Sequence, residues 1–212
     1  MIGLHVLVLS AMLLGSPPPG RFVPGEVVVK FAPGTEASAA VMRAGRLSPP
    51  DLEALAPPVT ALQAKTGLPL RAKQVTGGQW VLLAVDGEKL VERLAEQLRG
   101  RANVADVRLS PDPSEGDGEA PGSRGIVVRF SAGSAEAHTV AQRRSGGGED
   151  RFAQLVRALG KDVALPLKGE ATADAILLLH VELRTLTLTL SEQLKALADV
   201  ESAQPNYIMT IR

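Results

Sequence analysis

The chain has 212 residues, enough for one ordinary domain or for two small ones with thin cores. Its 23 basic residues balance 23 acidic ones and aromatics make up only 3%, so it offers neither the positive field nor the stacking platforms that nucleic-acid binding needs. Cysteine is absent, which removes disulfides, thiol nucleophiles and thiolate metal sites, and His5, His138 and His180 lie too far apart in sequence for a metal-type spacing.

Residues 1–20, MIGLHVLVLSAMLLGSPPPG, open with an apolar run over positions 2–14 and end in three prolines. That is the length of a signal-peptide core and short for a membrane span, although no Lys or Arg precedes it and no A-x-A site follows. The segment is expected to be an export signal, and the cysteine that a lipid anchor would need is missing.

From residue 21 the chain repeats itself. GEVVVKFAPGT at 25–35 returns as GIVVRFSAGS at 125–134, QWVLLAV at 79–85 as AILLLHV at 175–181, and AEQLRGRANV at 95–104 as SEQLKALADV at 191–200; LPL occurs at 68–70 and again at 165–167. In the first copy, the periodicity predicts a strand over 27–31, then a helix capped by Thr35 and interrupted by Pro49, Pro50, Pro57 and Pro58. A second helical piece reaches Gly67. Strands over 70–76 and 79–85 follow, joined by Gly77-Gly78, and then a helix through Leu90, Leu94 and Leu98 and a closing strand over 104–109.

The second copy predicts a strand over 126–130 and a helix from Ser134, broken at Gly146-Gly147-Gly148 and resumed through Phe152, Leu155, Val156 and Leu159. Strands near 163–168 and 175–183, a helix and a strand over 200–204 complete it. RTLTLTLSEQL, beginning at Arg184, is ambiguous. Thr185 to Leu190 alternate as a strand would, yet Leu186, Leu190, Leu194 and Leu197 share one helical face. The matching residues of the first copy, EKLVERLAEQL, are strong helix formers without alternation, so helix from about Leu186 is expected, with a longer preceding strand as the competing reading.

Each copy therefore reads βαββαβ, which closes as a four-stranded antiparallel sheet with helices on one face, the ferredoxin-like arrangement. The fold class is α+β: unit 1 spans 21–110, unit 2 spans 125–212, and the Pro-, Gly- and acid-rich residues 111–124 form a solvated tether. The other face of each sheet is left uncovered, as partner surfaces are.

Catalytic chemistry leaves no constellation of nucleophile, base and orienting group. His138, in SAEAHTVAQRR, reads as the polar side of a surface helix, and His180 as an odd residue in an apolar strand. SGGGED at 145–150 has the glycines of a phosphate loop but neither its lysine nor its preceding strand. Glu88, Glu92 and Glu96 form one exposed helix face. No catalytic residue, cofactor or metal is expected.

VPGEVVVKFAPG at 23–34, followed by a helix and hairpin, a helix ending EQLKALADV and the closing VESAQPNY at 200–207, resembles the N-terminal propeptides of subtilisin-like serine proteases, closest to the fervidolysin type. The resemblance implies a domain that packs its open sheet face on the protease, threads its C-terminal segment through the substrate cleft, assists folding and inhibits until removed. It also implies which residues would act. Pro205 and Asn206 would turn out of the last strand, and Tyr207, Ile208, Met209, Thr210, Ile211 and Arg212 would lie in the cleft as a product-like plug. The sheet face would add contact area, on the order of 800 Å² per partner in a standard inhibitor complex.

The first copy departs from this pattern, because NVADVRLSPD lacks the Asn-Tyr exit. The chain also holds neither the HG(T/S) nor the GTS.(A/S).P motif of the protease. The expected function is accordingly that of an exported, periplasmic or extracellular, non-catalytic inhibitor or folding chaperone of a subtilisin-like protease. The alternatives are an exported structural or interaction module on the same fold, and the severed front of a longer protease precursor.

Overall fold

A computed structural model describes residues 21–77, 79–110, 125–173 and 175–208. The expected export signal, the tether and the tail residues Met209, Thr210, Ile211 and Arg212 lie outside them. The elements run in the order β1 (Phe22–Phe31), α1 (Glu36–Ala44), a short 3₁₀ turn (Glu53–Leu55), α2 (Ala56–Thr66), β2 (Leu70–Thr76), β3 (Trp80–Val85), α3 (Gly87–Arg99) and β4 (Val104–Leu109). The second copy supplies β5 (Ile126–Phe130), α4 (Ala135–Arg144), α5 (Glu149–Val163), β6 (Leu167–Ala173), β7 (Ile176–Val181), α6 (Leu183–Lys195) and β8 (Val200–Tyr207).

The local signals act as their chemistry dictates. Thr35 and Ser134 cap α1 and α4 by accepting the backbone N–H of Ser38 and Ala137, both at 3.1 Å, and Asp86 caps α3 through the N–H of Lys89. Pro57 and Pro58 occupy the first turn of α2, where a missing N–H costs nothing, so they start this helix rather than interrupt it. The strand expected over 163–168 begins later, at Leu167: Phe152, Val156, Leu159 and Val163 keep helical spacing, and α5 continues to Val163 before Ala164 ends it at φ 55°. Its β7 partner is correspondingly shorter, Ile176–Val181.

The two sheets are antiparallel and four-stranded, with orders β2-β3-β1-β8 and β4-β5-β7-β6. Both orders are ferredoxin-like, but neither sheet is closed by its own copy. The strand of the second copy that was expected to close the second sheet, β8, pairs with β1 of the first; β4 of the first copy pairs with β5 of the second. The preceding helices travel with their strands. Helix α6 packs on β1 and β8, and α3 on β4 and β5. Equivalent backbone bonds mark the exchange on both sides: Ala32 N–H donates to Asp199 O and Ser131 N–H to Asn103 O, each at 2.9 Å.

One apolar cluster runs through both halves. Val27, Val29, Val81 and Leu83 form the helix-facing side of the first sheet, and Val128, Leu177 and Leu179 that of the second, with Leu94, Leu98, Leu159, Leu190 and Leu194 packed over them. Each such side chain contributes about 1.5–3 kcal/mol by leaving water. Thr187 and Ser191 are the polar residues drawn into this layer by α6, and both hydroxyls bond backbone carbonyls within the helix.

Candidate partner-binding tail and sheet face

The last described residues, Tyr207 and Ile208, lie where β1 begins. Strand β8 does not end at Gln204: Pro205 stands opposite Val27 and Tyr207 opposite Phe22, so Pro205 and Asn206 belong to the strand instead of turning out of it. An edge strand accommodates a proline there because one side of its backbone has no ladder to feed. Beyond it, Ile208 N–H donates to Arg21 O at 2.8 Å. The Tyr207 and Phe22 rings are nearly perpendicular with centroids 6.1 Å apart, and the Arg184 guanidinium of α6 lies 4.6 Å from the centre of the Phe22 ring. Tyr207 and Ile208 are 41% and 54% exposed at this corner.

The start of β1 and the end of β8 are fastened by the residues that carry the resemblance. Gly25 has φ 81°, a conformation that suits glycine; the register of β1 against β8 shifts between Phe22 and Val27, and the Gly25 N–H is bonded to Thr187 Oγ1 of α6 at 2.7 Å. The next residue, Glu26, is only 8% exposed. Its carboxylate accepts a hydrogen bond from Asn206 Nδ2 at 2.7 Å and forms an ion pair with Lys73 of β2. Asn206 is therefore a clamp between first and second copies. Lys30 with Glu201 at 2.7 Å and Lys65 with Asp199 at 2.6 Å add two exposed ion pairs across the same junction.

The helix-free face of the first sheet follows from the alternation. Val28, Trp80 and Leu82 point away from the helices and are half-buried, with Lys30 Nζ 6.0 Å from the Trp80 ring centre. Trp80 is the chain's one tryptophan. On the second sheet the same face carries Val127, Ile176, Leu178 and His180, also half-buried, with an Arg108–Asp106 ion pair at 2.6 Å on β4. A Cβ on Gly125 would come within 2.7 Å of Leu178 Cδ1 and 2.8 Å of His180 Cε1, so His180 lies packed against the start of β5. His138 is exposed on α4, with Nδ1 2.9 Å from Ser134 O. Glu88, Glu92 and Glu96 line the exposed side of α3.

Sequence reasoning placed the tail at the end of the second copy, on the sheet that copy was expected to close by itself. The exchange places Tyr207, the end of β8, on the first sheet, the one that carries Val28, Trp80 and Leu82. Among the described residues no group of three or more His, Asp or Glu side chains is disposed to hold a metal ion, and no helix is long and apolar enough to cross a membrane. Comparison with protein-family models, with curated proteins and with solved structures gave no match.

Proposed function

We propose that the chain is an exported, non-catalytic inhibitor and folding assistant of a subtilisin-like serine protease, built from two propeptide-like copies, with its C-terminal tail occupying the substrate cleft. The observation that carries this reading is the corner at Tyr207 and Ile208: an extended strand ends there with two exposed large side chains, held by the Asn206–Glu26 hydrogen bond, the contact of the Tyr207 and Phe22 rings and the Ile208 N–H bond to Arg21 O. An extended segment delivered from a fixed strand enters a cleft with little left to order, gains main-chain hydrogen bonds, and fills alternate pockets with its side chains. The half-buried Val28, Trp80 and Leu82 supply an apolar patch on the same sheet, and a tryptophan in such a patch is the kind of anchor that dominates inhibitor interfaces.

The test is inhibition of a subtilisin-like protease by the chain from residue 21 onward, compared with the same chain ending at Tyr207. The intact chain inhibits slowly and tightly, and the truncated one at least about tenfold more weakly. Equal inhibition by both contradicts the plug. No inhibition of such proteases by either contradicts the functional reading as a whole.

A further inference from the structure

Positive charge gathers in a groove of about 760 Å³ between the end of α4, the first half of α5 and the strand β6. Arg143, Arg144, Arg157 and Lys168 line it, against the carboxylates of Glu149 and Glu170. Phe152 and Val156, both nearly buried, give it an apolar floor. Among the described residues β6 has a neighbouring strand on one side only, β7, so a row of its backbone N–H and C=O groups faces outward along the groove.

The internal duplication shows that the fold does not require this charge. Counted from the caps Thr35 and Ser134, Arg143 and Arg144 stand where the first copy has Ala44 and Gly45. Counted back from the first residues of β2 and β6, Arg157 stands where the first copy has Thr60. The contacts of Arg143, Lys168 and Arg157 are loose: Arg143 Nη1 is 3.8 Å from Glu149 and Lys168 Nζ is 3.3 Å from Glu182, both pairs partly solvated, while Arg157 Nε donates to Ala153 O at 3.3 Å. Exposed pairs of this kind are worth about 0–1 kcal/mol, so an incoming carboxylate exchanges with them readily.

We propose that this groove binds an extended acidic peptide, which adds to β6 as a fifth strand and sets its carboxylates against Arg143 and Arg157. The free edge supplies main-chain hydrogen bonds, and the guanidinium groups supply charge-assisted bonds that select acidic over neutral side chains. This surface belongs to the second sheet, whereas β8 belongs to the first, so the proposal is independent of the protease reading.

The experiment is fluorescence anisotropy of a labelled peptide of alternating Glu and Val, titrated with the chain from residue 21 onward, with a Gln-Val peptide as control. The acidic peptide binds, and salt weakens the binding. The Gln-Val peptide and the double variant Arg143→Glu/Arg157→Glu each bind at least about tenfold more weakly, circular dichroism showing the variant folded. Amide hydrogen exchange in residues 168–172 slows when the acidic peptide is bound. Equal binding of the two peptides, undiminished binding by the variant, exchange in β6 that the peptide leaves unchanged, or binding to phosphatidylserine vesicles without peptide binding would each overturn the proposal.

Discussion

Asn206 and Glu26 stand at opposite ends of the chain and meet across two strands. Because Glu26 is only 8% exposed, its carboxylate depends on Asn206 and Lys73 for the bonds that water would otherwise give. Asn206→Ala removes a charge-assisted hydrogen bond to a nearly buried group, and we expect it to lower stability by about 1.5–3 kcal/mol in urea unfolding. A change below about 0.5 kcal/mol, the usual size at a solvated surface position, would return Asn206 to the role of a simple exit turn. In the sequence Pro-Asn-Tyr carries turn chemistry, and nothing local distinguishes an asparagine that turns the chain from one that reaches a buried carboxylate. Gly25 was legible only as part of a strand motif. Its positive φ and its bond to Thr187 join residues far apart in the chain, which a local pattern does not encode.

Helix α6 shows how two periodicities in one segment are resolved. RTLTLTL satisfies strand alternation, in which Leu186, Leu188 and Leu190 would share a face; the structure instead leaves them 3%, 48% and 1% exposed, as a helix must. The helix was legible from its counterpart EKLVERL, and it starts at Leu183, earlier than expected, with its first turn directly after β7. Leu194→Ala opens a cavity in the layer over the first sheet and is expected to cost about 2–5 kcal/mol, whereas Leu188→Ala changes stability by no more than about 0.5 kcal/mol. Thermal or urea unfolding of the two variants decides it, and comparable losses from both would contradict the helical packing. The boundary between α5 and β6 was misplaced in the sequence for a related reason: a strand was expected from Val163, while the apolar spacing of α5 runs on to that residue.

The number, order and type of elements were legible because each depends on spacing within a few residues. The pairing of the closing strands was not. VADVRL and VESAQPNY offer the same kind of strand to either sheet, so alternation does not choose between a copy closed on itself and a copy closed by its neighbour. The exchanged arrangement makes the two copies one cooperative body: each sheet loses its edge strand and the helix packed behind it if the halves part. It also puts the last strand of the second copy on the sheet that carries the apolar face of the first, which is why the two act together in the proposed inhibitor. Strand β1 is therefore the place to test the account. The chain has no native cysteine. In Lys30→Cys/Ser202→Cys the new thiols occupy a directly opposed pair of β1 and β8, within reach of a disulfide. With a protease site placed in residues 111–124 and cleaved after oxidation, the two halves should migrate as one covalent species in a denaturing gel and separate on reduction. Halves that separate without reductant, although the thiols were oxidised under native conditions, would show that β8 does not lie beside β1 and would contradict the exchange.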